Sequence, residues 1–111
     1  MPNDFFNWGG KLEGFDDGRY VKLSVKKNGQ RHYGEHSTVT HKPHGRGVRF
    51  GKEGYIYIGY FYEGCYAPGN YILIHSDGGF VVGEGYADSN GQDHEKGIHY
   101  FKDGTTKVIA T

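Results

Sequence analysis

At 111 residues the chain is long enough for one domain with a core near the small end of what folds alone. Twenty glycines sit beside ten Tyr, seven Phe and one Trp, an aromatic share of 16% that excludes a disordered Gly-rich tail, and no Gly-X-Y triplet supports collagen. Thirteen basic and thirteen acidic residues cancel, so the electrostatic footprint of a nucleic-acid binder or a polybasic membrane-surface protein is missing.

Taken in chain order, residues 1–17 carry Phe5, Phe6 and Trp8 outside any repeat and read as an aromatic cap on the end of a stack. Arg19-Tyr20-Val21-Lys22-Leu23-Ser24-Val25 is a strand leading to an Asn28-Gly29 turn, and Val48-Arg49-Phe50 leads likewise to Glu53-Gly54. The run from Gly54 to Tyr62 is almost wholly β-branched and aromatic; Glu63-Gly64 turns the chain and Tyr71-Ile72-Leu73-Ile74 returns. After Asp77-Gly78, Phe80-Val81-Val82 leads to the turn Asp88-Ser89-Asn90-Gly91, and Ile98-His99-Tyr100-Phe101 returns to Asp103-Gly104. Lys107-Val108-Ile109-Ala110 ends as a strand with an unpaired edge, which invites pairing with another chain.

The turn glycines Gly29, Gly54, Gly78 and Gly104 are 25, 24 and 26 residues apart, and Gly34, Gly59 and Gly83 follow the first three at five residues. The fourth copy has Ile109 in that place. Such a period marks a repeat architecture. The expected fold is all-β: an elongated, twisted antiparallel meander of stacked hairpins, about seven to nine short strands in a single layer. Residues 18–111 form the repeat domain, divided approximately at 18–46, 47–68, 69–96 and 97–111. Because residues two apart share a strand face, stacking aligns His32, Tyr57 and Val81 in one column, Gly34, Gly59 and Gly83 in a second, and His36, Phe61 and Gly85 in a third. The glycine column leaves room for rings to lie across the sheet.

His44-Gly45-Arg46-Gly47-Val48-Arg49-Phe50, followed by Gly54, Tyr57, Gly59, Phe61, Gly64, Gly69 and Tyr71, resembles the MORN (membrane occupation and recognition nexus) repeat over residues 44–71. Flanking copies are degenerate: residues 29–36 put His32 and His36 at the two aromatic places, and residues 78–91 put Val81 and Gly85 there. The resemblance implies stacked hairpins used in protein association, often in ciliary or cytoskeletal assemblies, with a link to membrane lipids.

Catalytic and metal readings are weaker. His32, His36, His41 and His44 fall within thirteen residues and carry metal-ligand chemistry, but His32 and His36 occupy repeat columns, and Glu35 points to the opposite face. Cys65 is the lone cysteine, which fits a reducing compartment, and it lies in a turn with no evident base beyond His94 or His41. Gly45-x-Gly47 and Gly83-x-Gly85 are followed by strands rather than the helix a phosphate loop needs. The Asp88–Asp93 stretch lacks a terminal Glu at calcium-loop spacing. The N-terminal ten residues lack a signal peptide's basic and apolar regions, and no run approaches a membrane span.

The expected function is therefore non-enzymatic: a structural or adaptor repeat protein, cofactor-free and cytoplasmic, joining protein subunits in a larger assembly. Apolar residues on both faces of one strand, Ile56, Ile58, Tyr60 and Tyr62 against Tyr55, Tyr57 and Phe61, suggest a surface meant to be covered. The expected protein-binding anchors are Tyr57, Tyr60, Phe61, Tyr62, Tyr71 and Phe80. The alternatives are a phospholipid-surface module, which the charge balance disfavours, and a small metal-binding or enzymatic factor built on Cys65 or the histidines.

Overall fold

The computed structural model describes residues 18–111, so the aromatic cap expected at 1–17 lies outside the described residues. Those described form nine strands and no helix: β1 (Arg19–Val25), β2 (Arg31–Ser37), β3 (Pro43–Phe50), β4 (Ile56–Tyr62), β5 (Cys65–Tyr66), β6 (Gly69–Ile74), β7 (Phe80–Ala87), β8 (Asp93–Tyr100) and β9 (Thr106–Ala110). They make one open antiparallel sheet in the order β1-β2-β3-β4-β6-β7-β8-β9, with the short β5 pairing back onto β4. The all-β single-layer meander expected from the sequence is the observed fold.

Turn chemistry explains the period. The N–H groups of Lys26, Gly51, His75 and Phe101 each donate to the carbonyl four residues on, and Gly29, Gly54, Gly78 and Gly104 donate back to them. Those four glycines have φ of 91°, 95°, 96° and 91°, a left-handed conformation that a side chain resists. In three of the turns Asn28, Asp77 and Asp103 accept, through Oδ1, the N–H two residues on, the bond that makes Asx residues good turn formers. A fifth turn of the same pattern, Asp88–Gln92 with Gly91, reverses the chain on the opposite side of the sheet.

Strand register sorts the side chains onto two faces. On the first, His32, Arg49, Tyr57, Leu73, Val81 and His99 face one another across successive strands. Beside this row runs a second in which Gly34 faces Gly47, Gly47 faces Gly59, Tyr71 faces Gly83, Gly83 faces Gly97, and Gly97 faces Ile109. Rings lie over these glycines: a Cβ on Gly47 would come 2.5 Å from His32 Nε2, one on Gly59 would come 2.9 Å from Tyr57 Cε1, and one on Gly83 would come 2.7 Å from Tyr71 Cζ. Gly59 and Gly83 of the expected column are thus ring seats, joined by Gly47 of a return strand, whereas a Cβ on Gly34 or Gly97 would meet the backbone of the neighbouring strand. Phe61 is completely buried among these rings, and Tyr71 and Val81 are nearly so.

The opposite face is aliphatic. Directly paired along it are Leu23 with Tyr33, Val48 with Ile58, Ile72 with Val82, and Ile98 with Val108, and register joins these pairs into one unbroken stripe.

The ring seats give a sharp contrast. Gly83→Ala forces a methyl into the Tyr71 ring, and overpacking of this kind costs about 1–3 kcal/mol. Gly85→Ala meets nothing closer than 3.8 Å and is expected to change stability by less than about 0.5 kcal/mol, the usual range for an unobstructed surface site. Urea unfolding of the two variants checks the difference; equal midpoints would mean that Tyr71 does not rest on Gly83.

Candidate functional site: a tyrosine groove

The ring-bearing face holds a groove of about 330 Å³. Its floor is Tyr57 and Tyr71, stacked with centroids 5.5 Å apart and planes 13° from parallel. Tyr66 of β5 stands 4.4 Å from the Tyr57 ring as one wall, with Pro68 beside it. Leu73 and Val81 extend the floor, while Glu95 and Asp93 of β8 and Ile109 of β9 line the far side. The β4–β5 hairpin places Tyr66 here: Glu63 and Gly64 both adopt positive φ, 49° and 86°, giving the tight two-residue reversal that pairs Tyr62 with Cys65.

Burial pushes the Tyr57 hydroxyl well above its ordinary pKa, with the charge on Glu95 among the lesser causes. Burial first, then the nearby Glu95 carboxylate, pushes Tyr71 up to about 12. Both rings stay neutral, and the acidic side of the groove is Glu95. Below the floor, Arg49 lies over the faces of Phe61 at 4.5 Å and Tyr66 at 5.2 Å and donates through Nη2 to the Gly64 carbonyl at 2.9 Å. Its cation is thereby held inside the fold by ring faces and a carbonyl. The groove is left with aromatic surface, one carboxylate edge and a neutral floor, an arrangement suited to an apolar or cationic group rather than to an anion.

The six expected anchors divide between the two faces. Tyr57 and Tyr71 form the groove and Phe61 supports it from beneath. Tyr60 is buried on the aliphatic side, its ring against Gly69. Tyr62 covers His44, with ring centroids 4.9 Å apart, and Phe80 stacks on Tyr100 at 4.8 Å. Sequence reasoning missed Tyr66, Leu73 and Glu95. Leu73 is signalled by its place opposite Tyr57 once the hairpin is paired; Glu95 requires the register of β7 with β8, where it faces Gly85.

The histidines separate. The His32 and His36 rings meet edge-on at 5.4 Å, His41 hydrogen-bonds through Nδ1 with the Tyr20 hydroxyl at 3.0 Å, and His44 lies on the opposite face against Tyr62. Among the described residues no three His, Cys, Asp or Glu side chains converge on a common metal position. Cys65 is exposed on β5. Of its candidate bases, His94 is engaged with Asp88 at 2.7 Å and with the Thr111 carbonyl at 2.9 Å, and His41 with Tyr20. Among the described residues no helix is long and apolar enough to cross a membrane. No protein-family model matches the chain, and no curated protein matches it.

Proposed function

We propose that the chain is a MORN-like, non-enzymatic adaptor or structural module that joins protein subunits in a larger assembly, and that the tyrosine groove is where a partner docks. The observation that carries this reading is the groove itself: an aromatic floor left open by a sheet with no second layer among the described residues, edged by the Glu95 carboxylate. Tyrosines give large, rigid contact area at low entropic cost and are favoured at association surfaces. Glu95 adds preference for a partner segment bearing Lys or Arg, whose cation would rest on ring faces beside a carboxylate. A ciliary or other cytoskeletal setting is proposed on the MORN resemblance.

Affinity purification from the native source tests the reading, using the wild-type chain beside Leu73→Asp and Glu95→Lys variants whose melting temperatures are measured in parallel. Proteins recovered with wild type and lost with both folded variants are the expected result. Identical sets of recovered proteins would remove the groove from any docking role.

A further inference from the structure

The opposite face carries a separate surface. Along its central stripe Leu23, Tyr33, Val82, Ile98 and Val108 expose 54%, 53%, 43%, 38% and 74% of their surface, and the half-buried Val48, Ile58 and Ile72 join them in one apolar row. Eight strands about 4.8 Å apart make that face about 34 Å long, and three rows of side chains about 6.6 Å apart, two apolar and one charged, make it about 20 Å wide. The face covers roughly 700 Å², and its two apolar rows, about 450 Å², match the largest apolar patch of a typical monomer, about 300–600 Å² and often functional.

We propose that this aliphatic face is a homodimer interface, on which a second copy of the chain packs its own aliphatic face about a two-fold axis lying along the strands between β4 and β6. An axis along the strands sets the central strands of the two copies parallel across the interface, within the spread of about 30° that aligned sheet packing allows. About 700 Å² from each copy gives a total near 1,400 Å², within the range of stable specific interfaces.

The pattern is self-complementary about that axis. The operation sets β4 over β6, β3 over β7 and β2 over β8 of the second copy. Ile58 then meets Ile72, Val48 meets Val82, and Tyr33 meets Ile98 at equal height along the strands. In the next row Phe50 meets Phe80, and Arg31 meets the ring of Tyr100. The third row is charged, and here the choice of partner is decided. Arg46 bonds to Glu35 at 2.9 Å, and Lys96 lies 4.0 Å from Glu84. The same operation brings Glu35 over Lys96 and Arg46 over Glu84 of the second copy, and repeats both contacts by symmetry. All four are between opposite charges. An isologous interface demands that one patch complement itself, and an apolar centre with a charged row at its edge has the anatomy of a specific interface.

Sedimentation velocity and light scattering on the full chain test this, up to roughly 100 µM, well above the micromolar constants at which interfaces of this size commonly associate. The expected species has twice the mass of the 12.5 kDa chain. Val82→Glu, at an exposed position, yields a folded monomer with an unchanged circular dichroism spectrum. The decisive variant exchanges charges, Glu84→Lys together with Lys96→Glu. It preserves the pair within each copy but brings like charges together across the axis, and should raise the dissociation constant about tenfold or more. A wild-type monomer throughout the concentration range overturns the proposal. A monomer that Val82→Glu destabilises would do so by assigning the face to residues 1–17, and a dimer indifferent to both variants would do so by moving the contact to the strand edges. Leu73→Asp and Glu95→Lys act on the other face and leave the dimer mass unchanged, so this result and that for the groove fail separately.

Discussion

Phe61→Ala loses about 3–5 kcal/mol of stability, the range for deleting a buried phenyl ring that its surroundings cannot collapse around. The ring is fully buried. His32 stands edge-on at 4.4 Å, Tyr57 lies at 5.6 Å, Tyr66 at 5.5 Å, and Arg49 covers one face at 4.5 Å. These four contacts come from four different strands, so little can move inward to fill the space. The loss would be a large fraction of the total, since domains are commonly stable by only about 5–15 kcal/mol. The groove also rests on this ring, so Tyr57 and Tyr66 lose their support together. Urea unfolding beside Val39→Ala checks it: Val39 is 74% exposed in a turn, and a surface truncation there stays within about 0.5 kcal/mol. A Phe61→Ala loss as small as that of Val39→Ala would place the ring outside the core.

Acid is the second strong lever. Burial first, then the charges of Arg49, His36 and Lys26, lowers the His32 pKa from 6.5 to about 3. Neither ring nitrogen has a hydrogen-bond partner, which is consistent with a neutral imidazole serving as an aromatic spacer in the place Tyr57 takes one repeat later. Below pH 6.5 the unfolded chain takes up a proton that the folded chain refuses. Stability therefore falls as pH drops from about 6.5 toward 3, at up to about 1.4 kcal/mol per pH unit for one proton. His36 shifts in the same direction, chiefly through burial, and steepens the loss. Glu35 acts lower: burial works to raise its pKa, but hydrogen bonds from Arg46 and the charges of Arg19 and Arg46 hold it below the usual value. Its contribution is present above the ordinary carboxylate range and lost as pH falls through the depressed value. His32→Phe removes the main titration without breaking a hydrogen bond, so its stability should vary less between pH 6.5 and 4. Parallel pH profiles for wild type and His32→Phe would show that His32 takes up its proton in the folded state.

What could be read in the chain was what local chemistry decides. Asn28, Asp77 and Asp103 announce their turns because each side chain caps its own turn. The columns through His32, Tyr57 and Val81 and through Gly34, Gly59 and Gly83 follow from those turns plus strand alternation. Register between hairpins is less local. It depends on the loop at 38–42, where His41 takes φ of 61°, and on the shift between Gly34 and His36 that displaces β3 against β2. That is why His44 parts from the other histidines, and why Gly47 was not recognised as a ring seat. The site shows the same division. Tyr57 and Tyr71 were legible from repeat spacing, whereas Tyr66 depends on the two-residue hairpin after Tyr62, and Glu95 on pairing across the Asp88–Gln92 turn. Tyr60, Tyr62 and Phe80 share the aromatic character of the groove residues, and only strand parity sends them to the other side.

The proposal that the tyrosine groove receives a cationic partner segment is tested most directly by nuclear magnetic resonance, following the ring signals of Tyr57, Tyr66 and Tyr71 and the amide of Glu95. The titrants are two short amidated peptides, one rich in Lys and Arg and one with Glu at the same positions. Saturable shifts confined to these groove residues are expected with the basic peptide, absent with the acidic one and weakened by Glu95→Gln. No saturable shift with the basic peptide, or equal shifts with both, would contradict it.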